Sequence, residues 1–223
     1  MANYITDPAV LEPYLPARTE LDVYNGNVYV SLIGFMFENT RLKGIKIPFH
    51  VNFEEVNLRF YVRYNDNGQW KRGTVFIKEI VPKPAISIIA NALYREKYST
   101  MPMKHFYHNN GNEISLGYHW KYKGKWNKLE ASTAANALPM QPGSEEEFIA
   151  EHYWGYSKYN ETTTFEYNVQ HPAWEVYKVK EYLIECDFAN LYGKEFSFLQ
   201  NAIPNTVFLA KGSAIVVLQK KSV

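Results

Sequence analysis

With 223 residues, 46% of them hydrophobic and 21% charged, and a formal net charge of +1, the chain has the balance of a globular protein. That charge excludes the basic surplus expected of a nucleic-acid or acidic-membrane partner. Its single cysteine, Cys186, excludes an intramolecular disulfide framework, and no apolar run or secretory pattern of membrane or export type is present, so a reducing, cytoplasmic setting is expected. The 18 tyrosines and 13 phenylalanines favour half-buried pleated surfaces over helices.

Asp7 before Pro8 pairs a capping residue with a proline at the first helical position, which predicts a short helix over 7 to 14, ended near Pro16. "YNGN" at 24 to 27 is a turn signal, and "VYVSLIGFMF" after it reads as a central strand, apolar on both faces. The next strand, "FHVNFEEVNLRFYVRY" (49 to 64), breaks its own alternation. Phe49, Val51 and Phe53 hold one parity; after Glu54 and Glu55 the apolar residues Val56, Leu58, Phe60 and Val62 hold the other. Two readings stand: a β-bulge that puts the glutamates in water, or a regular strand in which Glu55, Asn57 and Arg59 share the face of Phe49 and Val51.

"RGTVFIKEIVP" is again a strand with apolar residues on both parities. "PKPAISIIANALYREKY" switches to helical spacing and predicts a helix over 84 to 97. "MKHFYH", "EISLGYHWKY" and "KWNKLEAS" follow as short strands, and Ser144 three residues before Glu147 forms a capping box for a helix over 145 to 153. "TTTFEYNVQH", "WEVYKVKEYLIEC", "NTVFLAKG" and "SAIVVLQK" read as strands, with a short helix or two turns in "FANLYGKEFSFLQ". The loose segment 132 to 144 reads as a surface loop, with a hinge as the alternative, and the whole chain, 1–223, as one domain. Many antiparallel strands with three helical insertions predict a mainly β (α+β) fold, a barrel or strongly curved sheets.

Phosphate-cradling glycine loops, nucleophile elbows and metal-binding helix motifs are absent, so neither a cofactor nor a metal is expected. His105 and His108 are three apart, which on a strand points them to opposite faces. Three stretches place polar groups where the pattern wants apolar ones. The first is Glu54, Glu55, Asn57 and Arg59; a buried carboxylate there calls for a cationic partner. The second is Glu79, which shares a parity with Val75, Ile77 and Val81. The third runs from Tyr94 to His105 and includes Lys104, an amine that matters chemically only if burial or a neighbouring cation depresses its pKa. His152 and His171 complete the set of ligand candidates.

"MANYITDPAVLEPYLP", "ELDVYNGNVYVSLIGFMFENTRLKGIKIPFHVNFEEVNLRFYVR", "KRGTVFIKEIVPKPAI", "FIAEHYWGY", "VQHPAWEVY" and "TVFLAKGSAIVV" together resemble the YqjF-like family, bacterial proteins grouped as a domain of unknown function. The start at "MANY" resembles a point slightly inside longer members, so a few further N-terminal residues are expected. The family in turn is similar in fold to acetoacetate decarboxylase, which implies an antiparallel double β-barrel or cone around a small-molecule cavity. That enzyme's motif is an Arg-Glu pair, then a proline followed by two lysines, the first forming a Schiff base and the second lowering its pKa. Here Arg95 and Glu96 match the pair and Pro102 the proline, while Met103 takes the nucleophile's place and Lys104 the helper's, with one extra residue between Glu96 and Pro102.

The resemblance therefore implies that Met103 points into the cavity and Lys104 away, unless the extra residue shifts the register. The leading expectation is a small-molecule-binding barrel, enzymatic or not, for an acidic or carbonyl-bearing compound. Arg59 would clamp a carboxylate, and a glutamate such as Glu79 would act as acid or base. The alternatives are a non-catalytic ligand sensor or interaction module, and a Schiff-base decarboxylase-like enzyme using Lys104. The expected partner is a small-molecule ligand, with no nucleic acid and no membrane; a homo-oligomer is left open.

Overall fold

The computed structural model describes residues 1–40 and 51–223. Its first strands are β1 (Ala2–Thr6), β2 (Thr19–Leu21), β3 (Val28–Phe37), β4 (Phe53–Asp66), β5 (Gln69–Val81), β6 (Tyr98–Thr100), β7 (Met103–Asn109) and β8 (Glu113–Tyr122). They are followed by β9 (Lys125–Ala134), β10 (Leu138–Pro139), β11 (Trp154–Lys158), β12 (Thr164–Gln170), β13 (Glu175–Glu185), β14 (Thr206–Ala210), β15 (Val216–Val217) and β16 (Lys221–Ser222). Four short helices interrupt them: α1 (Pro8–Leu11), α2 (Pro84–Tyr94), α3 (Glu145–Ala150) and α4 (Phe188–Tyr192).

The helices start where their caps dictate. Asp7 accepts the Ala9 N–H at 2.9 Å, and Ser144 accepts that of Glu147 at 3.2 Å ahead of an acidic first turn. The helix predicted to reach residue 97 stops at Tyr94, because Arg95 takes the left-handed conformation at φ 57°. The Asn91 side chain then holds both backbone groups of Tyr98, at 2.7 and 3.0 Å, which turns the chain into β6. Similarly, the helix predicted over 145 to 153 ends at Ala150, and "WGYSK" becomes β11.

Among the described residues the strands form one 16-stranded sheet whose main path runs β15-β12-β11-β5-β4-β3-β1-β14-β13-β9-β8-β7. The fold is mainly β, as the alternation predicts, but the sheet is mixed: β5 pairs in parallel with both β11 and β6. No pairing among the described residues joins the two ends of that path into a closed barrel. Two segments differ from the sequence reading. "MANYIT", to which the pattern assigns no element, is β1 and lies between β3 and β14. "SAIVVLQK" is reduced to the two-residue β15, with Ile215 to Leu218 39 to 54% exposed.

The phase break in β4 has a simple cause. From Phe37↔Phe53 to Val30↔Phe60, β3 and β4 pair residue for residue, so there is no bulge at Glu54 and Glu55. The irregularity lies on the neighbouring strand. Leu58 faces Lys78 but Arg59 faces Phe76, leaving Ile77 as the extra residue of β5. β4 is buried on both faces. Val56, Leu58, Phe60 and Val62 pack into the main core with Leu32, Trp120 and Phe188. By period two, Glu55, Asn57, Arg59 and Tyr61 occupy the other face.

A candidate acid–base site on the second face of the sheet

One cross-strand row defines this face. Ile33 on β3 faces Asn57 on β4, Asn57 faces Glu79 on β5, and Glu79 faces Tyr98 on β6. Glu55 stands one step along β4 and joins the row through hydrogen bonds. Its Oε1 accepts Asn57 Nδ2 at 2.9 Å, and its Oε2 accepts the Tyr98 hydroxyl at 2.9 Å. Glu96 enters from the turn after α2, on the same side as Tyr98, and accepts the Tyr167 hydroxyl of β12 at 2.9 Å. Glu55, Asn57 and Glu79 are no more than 2% exposed, whereas Glu96 and Tyr98 are partly exposed and form the outer rim.

Three carboxyls that act on one another, two of them buried, cannot all stay ionised. Burial pushes Glu55 up to about 7, although donation from Asn57 and Tyr98 and the charge of Arg59 favour the anion. Burial likewise raises Glu96 to about 8, against the Tyr167 hydrogen bond. Glu79 lies well above the carboxylate range, through burial and then through the charges of Glu96 and Glu55. Burial and the same carboxylates raise both tyrosines, which keeps Tyr98 and Tyr167 as hydroxyl donors.

Beyond Asn57 the face turns cationic. Arg59 donates to the Ile149 carbonyl at the end of α3 (3.5 Å) and lies 5.5 Å from the centre of the Tyr61 ring. Among the described residues no carboxylate forms an ion pair with it, and its buried Nε has no partner. Next to Tyr61, at 4.6 Å between ring centres, His152 sits with Nε2 3.2 Å from Asp22 and 3.4 Å from Arg72. Burial lowers His152 to about 4, and the charges of Arg72 and Arg59 add to this against the pull of Asp22. Burial alone would raise Asp22, yet hydrogen bonds from His152 and Arg72 hold it below the usual range.

The structure thus brings Glu55, Asn57, Arg59 and Glu79 to one face, with His152 at its edge. It does not bring the other sequence candidates there. Glu54 has the opposite parity and meets His105 Nδ1 at 3.6 Å. Met103 packs against the apolar core, opposite Trp120. Lys104 is exposed, with Nζ 4.7 Å from the Trp126 ring. His171 stacks between Tyr153 and Trp174, at 4.7 and 4.2 Å. Tyr94 ends α2, but its side chain lies outside the described residues, as do Phe49 and the rest of 41–50.

Sequence reasoning missed Tyr98, Tyr167, Asp22 and Arg72 as partners; the spacing of Glu96 and Tyr98, two apart, was the available signal. No group of three or more His, Cys, Asp or Glu among the described residues is arranged to hold a metal ion. No helix among them is long and apolar enough to cross a membrane. A separate cavity of about 220 Å³, lined by Tyr4, Tyr182, Cys186, Phe188 and Ile203 among others, carries neither carboxylate nor cation.

The fold is similar to that of acetoacetate decarboxylase-like proteins. Against the acetoacetate decarboxylase of Legionella pneumophila the TM-score is 0.54 at 16% identity, over 86% of this chain and 74% of that one. Against the enduracididine biosynthesis enzyme MppR complexed with pyruvate it is 0.60 at 11% identity, over 99% and 80%. The chain itself belongs to DUF2071, a family described as an uncharacterized conserved protein, which matches residues 1–214. It is 28% identical over 165 residues to the uncharacterized protein YqjF of Bacillus subtilis (strain 168), a match spanning 74% of this chain but only 64% of that protein's length.

Proposed function

We propose that this chain binds a small carbonyl-bearing carboxylate and acts on it by carboxylic acid–base chemistry, without a Schiff-base lysine. The observation that carries the reading is the convergence of Glu55, Glu79 and Glu96 on Tyr98 and Tyr167, on the same face as Arg59, which has no ion-pair partner among the described residues. Glu55, held at about 7, has the proton affinity of a general base for a C–H next to a carbonyl. Protonated Glu96, at the rim, donates to the oxygen on which negative charge then develops, while Tyr98 keeps its one hydrogen on Glu55 Oε2. Arg59 anchors the ligand's carboxylate as a guanidinium does best, through paired N–H donors.

The likeness to an acetoacetate decarboxylase and to an enzyme complexed with pyruvate supports a keto-acid ligand, though fold likeness alone does not transfer an activity. Closure of the sheet into a barrel around the ligand and a cytoplasmic setting go with this reading. Pyruvate, acetoacetate and acetylacetone, screened by thermal shift, test it first, since a ligand of the native state raises the melting temperature by mass action. Hits are then followed by NMR for exchange of their α-protons with deuterium from solvent. The reading expects binding, and exchange that Glu55→Gln slows about 10²-fold or more. A panel with no thermal shift overturns it.

The second reading, a non-catalytic sensor, draws on the depth of Glu55 and Glu79, at 1% and 2% exposure. Binding without exchange in any hit decides for it.

A further inference from the structure

Two oxygens at the heart of the acidic row have no visible donor. Asn57 Oδ1 and Glu79 Oε2 are both buried and, among the described residues, both without a hydrogen-bond partner. They belong to residues that face each other directly across the β4–β5 pairing. Side chains so placed start from Cβ atoms about 5 Å apart on one face of the sheet. Two buried acceptors left unmatched would each carry a full desolvation penalty. A single hydrogen between them removes both penalties at once, and only the carboxyl has a place to carry it.

We propose that Glu79 remains a protonated carboxylic acid, donating its O–H to Asn57 Oδ1, and that through Asn57 it is the positioning residue for Glu55. The inference rests on Glu55 as the base of the proposed site and assigns the group that orients it. An amide has one acceptor end and one donor end. With Oδ1 engaged by Glu79, Nδ2 is turned to Glu55 Oε1, where it is found at 2.9 Å, and Tyr98 supplies the donor for Oε2. Both oxygens of Glu55 are then met by donors, an environment for a carboxylate; Glu79 presents a hydroxyl.

The reverse arrangement would turn Asn57 end for end, with protonated Glu55 donating to the amide and ionised Glu79 accepting from it. The charges facing the pair weigh against it. Arg59, on β4, acts on Glu55. Glu79 has only carboxyls as charged neighbours acting on it, Glu55 from β4 and Glu96 from the turn before β6; the Tyr98 hydroxyl favours its anion but is outweighed by burial and those charges. Tyr167, from β12, engages Glu96. The lone negative charge belongs on the residue nearer the cation.

Infrared spectroscopy of the ligand-free chain reads the proton directly. At about pH 9, with ordinary carboxyls ionised and Glu55 and Glu96 above their values of about 7 and 8, one protonated-carboxyl C=O band is expected. That band should vanish in Glu79→Gln and persist in Glu55→Gln and Glu96→Gln. The positioning role is read from the Glu55 titration in carboxyl-labelled protein. Glu79→Leu releases Asn57 and raises the Glu55 midpoint by about one pH unit, whereas Glu79→Gln, whose amide also donates to Oδ1, leaves it in place.

A band lost in Glu55→Gln but kept in Glu79→Gln, or no band at all, overturns the inference. So does a Glu55 midpoint that ignores Glu79→Leu. Should Glu79→Leu fail to fold, the infrared comparison of the glutamine variants still decides. Because no ligand is present, a chain with the Glu79 band but no keto-acid binding keeps this inference and loses the proposed function.

Discussion

Gly155 lies directly across from Tyr167 in the β11–β12 pairing, and the side chain it lacks is the space that the tyrosine ring occupies. A Cβ at residue 155 would overlap that ring. The glycine thus lets Tyr167 lean over β11 far enough to donate to Glu96 at 2.9 Å. Gly155→Ala is expected to displace the ring and cost about 1–3 kcal/mol of stability, as overpacking of a tight site does. Urea unfolding gives the cost. Gly155→Ala combined with Tyr167→Ala should recover part of it, and a double mutant no more stable than Tyr167→Ala alone plus the full glycine cost would refute the steric account.

The buried acids make stability depend on pH in a definite direction. Glu55 and Glu96 hold folded-state values of about 7 and 8, above the ordinary carboxyl value near 4.3, so between those limits the unfolded chain binds fewer protons than the folded one. Their stabilisation is complete at low pH and declines as pH rises through the folded values. The fall is spread from about pH 4.3 to pH 8, and above about pH 6.5, where His152 no longer opposes it, the urea midpoint should drop up to about pH 8; Glu96→Gln should flatten that drop. An unchanged slope in Glu96→Gln contradicts the assignment.

His152 gives the opposite slope on the acid side. Its folded value of about 4 lies below the ordinary histidine value near 6.5, so stability is lost as pH drops from about 6.5 toward 4. Asp22, held below its usual range, adds to the loss at the acid end. Glu55 and Glu96 act in the opposite sense over part of that range, so the expected signature of His152→Gln is a higher stability at about pH 4 relative to pH 6.5 than in the parent chain. The check is a pair of denaturant curves at those two pH values for each protein.

Lys104 should form no Schiff base. Schiff-base formation near neutral pH needs an amine whose pKa has fallen by about 3 units, through burial or an adjoining cation. Lys104 instead lies exposed against the Trp126 ring. Borohydride reduction in the presence of acetoacetate or acetylacetone is expected to leave no adduct on it. A mass increase mapped to Lys104, and lost in Lys104→Met, would falsify the lysine-free mechanism.

Much of this was legible in the sequence because it rests on local rules. Asp7 and Ser144 announced their helices through capping chemistry, and a regular β4 already placed Glu55, Asn57 and Arg59 on one face. Glu79 stood out as a carboxyl on an apolar parity. Tyr98 and Tyr167 did not stand out, since a tyrosine on a half-buried strand is unremarkable until its hydroxyl has a partner. The partners come from pairings distant in sequence: Glu96 is 71 residues from Tyr167, and Asp22 is 130 from His152. The end of α2 was hidden for another reason, a left-handed Arg95 where helix geometry favours glycine.

The slip in the β4–β5 ladder at Ile77 acts as a selector of charge. Had the ladder continued without a break from the Arg59–Phe76 pair, Asn57 would face Lys78, and Glu79 would stand across from Val56 on the apolar side. Lys78 and Glu79 are neighbours in the chain, so the position of one irregular residue decides which of them enters the row. The same letters, paired one step differently, would present an amine there in place of an acid. A relative could exchange one kind of reactive group for the other by moving the slip, with every side chain near the site conserved.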